Sequence, residues 1–430
     1  MTPTMKLFLI GCVTATFALA AGSPARGQFT VNIDIDQAPF QYTETPGNNR
    51  VSRLMHQLEN KEVELDYTSQ RGYLDSLLEA LQIPPSSQTL VFSKTSMQVR
   101  YITRRNPRAI YFNDDTYVGW INGSSLVEIS TADPKLGAAF YTIDMSPFRP
   151  KLKRMNYDCL ACHATSLTQG IPGHTVRSVV PSYDGSVNSQ TQSFITNDTS
   201  PFSQRWGGWY VTGFHGDMKH MGNAYVKGGS LDTSRNANLL NLRDEFDSAN
   251  YLAPQSDIVA LMVLEHQTQM HNSMVRADFF VRQLDHEASE LDDDKVDAAE
   301  SAAQLQLIAG EVVDRLLFKD ETKLTDEVRG SVVFAADFQT LGPKDSQGRS
   351  LRDFDLKSRM FQYPCSYLIY SDAFKSLQPK LRSEIVRQIH DVLAGTAGGD
   401  RYEHLSAADR GSILGILSDT HPDFSISSND

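Results

Sequence analysis

The sequence predicts an α+β chain, with an antiparallel β meander in the N-terminal half and a helical C-terminal half. Two observations carry this. Between residues 90 and 143, five short β-branched and aromatic runs follow one another, divided by turn-forming Asn, Asp, Gly and Pro. From Ser256 onward, apolar residues recur instead at helical spacing over long stretches.

Taken in order, the chain begins with a segment that does not belong to the fold. Lys6 gives a positive start, Leu7 to Ala20 is apolar, and Ala18-Leu19-Ala20 has the small-x-small form of a cleavage site. Residues 1–20 therefore read as a signal peptide, with a linker to residue 27. The apolar run is too short to span a bilayer. Leu9-Ile10-Gly11-Cys12 also has the form of a lipoprotein box, which would leave a lipid anchor on Cys12. The run ahead of Cys12 is very short and apolar residues continue past it, which favours clean cleavage and an exported, periplasmic product.

Asn49 to Glu59 and Arg71 to Leu81 show helical spacing, ended by Pro84-Pro85. The five strands are Leu90 to Ser93, Ala109 to Phe112, Thr116 to Ile121, Leu126 to Ser130 and Ala138 to Ile143. Asn113-Asp114-Asp115, Asn122-Gly123 and Asp133-Pro134 separate them as hairpin turns. Residues 149–156 are basic and irregular, and Ala164 to Asn236 is a long stretch rich in Gly, Ser, Asn and Pro, of a length usually functional or disordered. A helix starts at Ser256-Asp257 and reaches Asp285; a second spans Asp292 to Phe318, after an acidic turn at Glu287 to Glu300. Shorter helices follow at Val328 to Phe338, Pro379 to Leu393 and Ser406 to Leu417. The chain divides into a β-rich domain, residues 28–240, and a mainly helical one, residues 241–430.

The stretch richest in chemistry is Cys159-Leu160-Ala161-Cys162-His163. Cys-x-x-Cys-His is the pattern for covalent haem attachment. Two thiols one helical turn apart can add to the two vinyl groups of a haem edge, and the next His is then placed under the iron as proximal ligand. A thioredoxin-like dithiol would sit at a strand-to-helix turn in a βαβ unit, and a structural zinc site needs a second ligand pair. Neither context is present in the sequence. With Cys12 removed and Cys159 and Cys162 carrying haem, Cys365 remains alone and no intramolecular disulfide is possible.

The sixth position of such an iron decides what it does. His215, Met218, His220 and Met221 fall within seven residues of Gly-flanked loop, and His266, Met270 and His271 lie on the long helix. At about 100° per residue, His266 and His271 point roughly 140° apart, so both cannot ligate one ion from a regular helix. His174 is a further candidate. Arg149, Lys151, Lys153 and Arg154 form a basic patch that suits haem propionates or an acidic redox partner, and Arg177 and Arg205 are additional propionate candidates.

Net charge is −12. An acidic chain without long basic runs is a poor nucleic-acid ligand, and no segment of the mature chain is apolar enough to cross a membrane. A lone electron carrier needs only enough chain to wrap one haem, on the order of 100 residues. The excess implies a shaped pocket, a partner surface or a further domain.

Cys159 to His163 matches the attachment signature of c-type cytochromes. Together with Thr168-Gln-Gly-Ile-Pro-Gly-His174-Thr-Val-Arg177, Trp206-Gly-Gly-Trp-Tyr-Val-Thr-Gly and Tyr363-Pro-Cys-Ser-Tyr-Leu-Ile-Tyr, it makes the chain resemble large exported bacterial proteins with a cytochrome c domain. The resemblance implies one covalent haem c, with thioethers at Cys159 and Cys162 and His163 as proximal ligand. It implies no substrate. Small cytochromes carry a helix close ahead of the motif and a Met ligand after it, whereas here a β meander precedes the motif.

The expectation is an exported monohaem c-type cytochrome, its haem between the two halves, exchanging electrons with a partner protein outside the cytoplasm. The alternatives are a peroxidase-like haem oxidoreductase, open at the distal iron with His215 or His271 beside it, and a haem-based sensor or scaffold.

Overall fold

The computed structural model describes residues 34–147, 150–188, 190–290 and 298–425. The expected signal peptide with Cys12, Arg149, and the central part of the acidic turn at 291–297 lie outside them. Helix α1 (Arg50–Glu59) starts at Asn49, whose side chain accepts from Ser52 N at 2.8 Å while the Asn49 N–H donates to Ser52 Oγ at 3.0 Å. This reciprocal cap satisfies two amides that a helix start leaves open. Helix α2 (Leu74–Ala80) follows and ends before Pro84-Pro85.

The five expected strands form in order: β1 (Thr89–Val91), β2 (Arg108–Phe112), β3 (Thr116–Trp120), β4 (Leu126–Asp133) and β5 (Gly137–Asp144), each antiparallel to the next. The structure adds β6 (Leu152–Met155), from the segment read as irregular. Four residues show too little alternation to announce a strand, and pairing with β5 supplies the order. Helix α3 (Tyr157–His163) comes next. The expected long loop carries two small ribbons, β7 (Arg177–Val179) with β8 (Ser193–Ile195) and β10 (Tyr225–Lys227) with β11 (Ser230–Asp232). Between them β9 (Trp209–Tyr210) joins the main sheet, giving seven strands in the order β6-β5-β4-β3-β2-β1-β9.

Helices make up the C-terminal half: α4 (Ile258–Ser289), α5 (Ala298–Leu316), α6 (Val332–Thr340), α7 (Asp372–Lys375), α8 (Pro379–Leu393) and α9 (Ala407–Thr420). The fold is therefore mixed α+β, with an antiparallel sheet first and helices second. No helix among the described residues is long and apolar enough to cross a membrane.

The register gives the sheet two unlike faces. Tyr111, Val118, Ile129 and Tyr141 stand on one, buried against Leu54 of α1 and Leu74, Leu77 and Leu78 of α2. Each such apolar side chain contributes about 1.5–3 kcal/mol on burial. The other face presents Tyr117, Ser130 and Phe140 to the loop after α3 and to α4. Gln267 of α4 donates to Tyr117 Oη and Asn113 O, both at 2.9 Å, and His271 donates to Asp114 O at 2.8 Å. Polar side chains of a buried helix thus hold the β2–β3 turn.

Gly137, with φ +74°, opens β5 directly under α4. A Cβ there would stand 2.6 Å from Val275 Cγ1 and 2.9 Å from Pro172 O. Gly137→Ala is expected to cost about 2–4 kcal/mol from backbone strain and overpacking together. Urea denaturation would measure it, and a loss below half a kcal/mol would show that α4 does not press on this hairpin.

Candidate functional site

Helix α3 is barely two turns long, and Leu160, 8% exposed, ties it to the sheet. The anchor leaves Cys159 half-buried and Cys162 exposed. Three apart, the two thiols share a helix face. Neither is in a disulfide.

His163 closes the helix and turns back on its own loop. Its carbonyl accepts from Gly173 N at 2.8 Å and from Thr168 Oγ1 at 3.2 Å. Its Nδ1 lies 2.9 Å from Gly173 O. A carbonyl only accepts, so Nδ1 carries the proton and Nε2 keeps its lone pair. Burial holds the ring below its usual pKa, against the pull of the Gly173 bond, and so neutral at pH 7. Nε2 makes no hydrogen bond among the described residues. The ring packs on Phe140 at 4.8 Å between centroids, and the Arg108–Glu128 ion pair (2.6 Å) on the same sheet face adds its field.

Burial, then the carboxylates of Glu128 and Asp158 and the neighbouring Cys162, push the Cys159 thiol up to about 11. A redox dithiol needs the reverse, an attacking thiol lowered toward neutrality. The donor set instead suits a haem: two unpaired thiols, a neutral imidazole with one nitrogen open, and uncovered apolar side chains nearby. Tyr157 (69% exposed) and Leu167 flank the motif in sequence. Met97 and Val99 lie on a loop tied to Glu128 by Ser96 Oγ at 2.7 Å.

The remaining sequence candidates are held elsewhere. His174 is nearest; its ring lies 6.4 Å from that of Phe140, which also packs on His163, but it follows Gly173 and so stands on the Nδ1 side of His163. His271 lies beyond it, 6.0 Å from His174. His266 stacks on Phe318 at 4.3 Å and bonds Ser366 Oγ at 2.8 Å. Met270 is buried in α4.

His215 and His220 form a separate cluster against Trp206, with Nε2 atoms 3.3 Å apart. Gly222 N–H donates to His220 Nδ1 at 3.0 Å, so the proton of His220 sits on Nε2 and faces His215. That leaves His220 no lone pair for a metal. Met221 Sδ accepts from Ser178 Oγ at 3.7 Å, and Met218 is buried. Arg154, on β6, points to the other sheet face, where it donates to the carbonyls of Thr45 (2.5 Å) and Tyr42 (2.7 Å). Arg177 bonds Ser193 Oγ at 2.7 Å, and Arg205 pairs with buried Glu265 at 3.3 Å. Of the eight candidates for a sixth ligand, none, His215, His220, Met221, His266 and His271 included, makes a hydrogen bond or ring contact with His163.

Compared with protein-family models, curated proteins and solved structures, the chain matches none. The site must be read from its own geometry.

Sequence reasoning missed Arg108, Glu128, Phe140, Gly173 and Asn272. Glu128 had a signal: β4 alternates Leu126, Glu128 and Ser130 with buried Val127, Ile129 and Thr131, which puts it on the face away from the core. One further constellation invites attention. His266 lies between Ser366 and Asp198 (Nδ1 to Oδ1 3.8 Å), in the order of a hydrolytic triad. All three are at most 3% exposed, and the hollows at Gly137–Asp278 and Arg243–Pro254 touch neither Ser366 nor His163. Closed off from solvent, the trio ties α4 to the C-terminal segment through the His266–Ser366 bond.

Around that trio burial pushes Glu265 up to about 7, opposed by Arg205, and Glu321 also to about 7. An unfolded Glu titrates near 4.5. Between those values the native state holds more protons than the unfolded one, so the Glu265 contribution falls as pH rises. His163, His174, His220 and His271, kept neutral by burial, contribute with the opposite sign. The comparison that isolates Glu265 is wild type against Glu265→Gln: the variant should gain on the order of 1–3 kcal/mol relative to wild type between pH 5 and 8. A difference in urea stability that does not change with pH would contradict the raised pKa.

The thiols give a second test. In haem-free protein at pH 8, Cys162 should alkylate first. Cys159 should lag, with roughly a thousandth of its thiol ionised. Cys365, buried and pushed up to about 12, should react only after unfolding. Mass spectrometry of labelled peptides reads the order, and Cys159 reacting ahead of Cys162 would restore the dithiol reading.

Proposed function

We propose that the protein is an exported monohaem c-type cytochrome that binds haem through Cys159 and Cys162 and passes electrons to a partner protein outside the cytoplasm. The observation carrying this is His163, which follows two unpaired thiols and has Nδ1 bonded to Gly173 O, so that Nε2 is left as a ready ligand. A ligating His almost always bonds its second nitrogen in this way, which fixes its tautomer and ring orientation. A haem bound here supplies a one-electron iron couple. The chain's part is to hold one edge through α3, to aim the imidazole, and to set the field with Arg108 and Glu128.

One observation favours a second reading, a peroxidase-like oxidoreductase. None of the expected sixth ligands reaches His163, which leaves the far side of the iron to a residue not anticipated or to a small molecule.

Expression with haem-attachment machinery tests both. Haem should remain on the chain in a denaturing gel and disappear in the Cys159→Ser, Cys162→Ser double variant. His163→Ala should keep covalent haem but change its absorption bands. Reduced bands indifferent to carbon monoxide establish a carrier with two protein ligands; bands that shift establish an open site and the second reading. Absence of covalent haem from wild type would remove both.

A further inference from the structure

The loop behind His163 has backbone bonds of its own and one to the sheet, Ala138 N–H to Pro172 O at 3.1 Å, and its last turn is held by α4 as well. Gly173 O accepts from His163 Nδ1, and the next residue, His174, is fixed at both of its backbone polar groups by one side chain of α4. Asn272 Oδ1 accepts from His174 N at 2.9 Å, and Asn272 Nδ2 donates to His174 O at 2.7 Å. Asn272 is 8% exposed, and the fit is close: a Cβ on Gly173 would stand 2.6 Å from Asn272 Oδ1.

An amide that bonds both the N–H and the C=O of one residue acts as a piece of strand partner. It fixes the plane of the neighbouring peptide, here the one whose carbonyl meets His163 Nδ1. A buried amide that made neither bond would be left with unsatisfied polar groups, so the clamp is strongly preferred to an open arrangement.

We propose that Asn272 is a positioning residue for the proximal ligand, through which α4 fixes the tautomer, ring orientation and electron donation of His163. The inference rests on the haem reading for its redox consequence, but not for its effect on the imidazole. A carbonyl accepting from Nδ1–H raises the basicity of the ligating nitrogen and favours the oxidised iron. Loosening the clamp weakens that bond and favours the reduced form.

The test uses Asn272→Ala, with Met274→Ala as control. Met274 is also buried on the same helix and has no bond to His174, so its loss disturbs packing alone. In the haem-loaded protein, Asn272→Ala should shift the reduction equilibrium about tenfold toward the reduced form, a rise of about 59 mV for one electron. Met274→Ala should leave the potential in place.

In the haem-free protein, side-chain ¹⁵N shifts should show His163 as the Nδ1–H tautomer in wild type and as a mixture in Asn272→Ala. Gly173→Ala approaches the clamp from the loop side; it should raise the potential in the same sense and stands in if Asn272→Ala does not fold. A variant that melts lower but keeps the wild-type potential and tautomer reduces Asn272 to a structural role and overturns the proposal. Wild type that binds no haem yet loses its single tautomer in Asn272→Ala would sink the haem reading while leaving the positioning role intact.

Discussion

A helix buried on most of its sides must satisfy its polar side chains inside the protein, and the rest of this structure depends on how α4 does so. Gln267 bonds Asn113 O and Tyr117 Oη in the sheet and accepts from Tyr367 Oη in the C-terminal segment at 2.8 Å. His271 bonds Asp114 O, and Asn272 bonds both ends of His174. Left unmade, each buried bond would cost about 1–3 kcal/mol, a sizeable part of a total stability of roughly 5–15 kcal/mol. The sheet, the loop behind α3 and the C-terminal chain are therefore all fixed to one common helix, in addition to their direct contacts with one another.

That arrangement explains why so short a helix can hold Cys159, Cys162 and His163 in place. Seven residues are too few to be stable alone, since the first turn costs more than it returns. Helix α3 is held below by Leu160 in the sheet core and at its end by the paired bonds between His163 and Gly173. The rigidity of the site comes from its back, through Gly173, His174 and Asn272. The front, with Cys162 and Tyr157, faces solvent.

The fold was legible where local chemistry decides it. Hairpin turns such as Asn113-Asp114-Asp115 and the cap at Ser256-Asp257 put β1 to β5 and the start of α4 where the sequence predicts them. The structure departs from prediction where partners decide. Strand β6 exists because β5 offers an open edge, and nothing in Leu152-Lys-Arg-Met states that. Arg154 looks like a haem-side cation until the register pairs it with Tyr141 and turns it to the opposite face. The His215 to Met221 loop is dense in possible ligands, but density measures composition, not direction. One backbone amide, Gly222 N–H, settles the tautomer of His220, and no sequence pattern signals that contact. For His266 and His271 helix geometry alone sufficed: they point into different layers, toward Ser366 and toward Asp114. What helix geometry could not say is that neither ring makes contact with His163.

The exposure of the motif bears on which chemistry suits it. An enzyme that handles a reactive oxidant gains from a closed site, because water-excluding walls strengthen its electrostatics and prevent side reactions. Here Cys162 is exposed, Cys159 only half-buried, and Tyr157 stands almost free beside them. A haem joined to those thiols would turn its thioether edge to solvent while α4, through Gly173, fixed its proximal ligand from behind. An edge at the surface offers a docked protein a short path to the iron and offers a small oxidant little enclosure. With haem bound as proposed, that exposure would favour exchange of electrons with a partner over turnover in a sealed pocket.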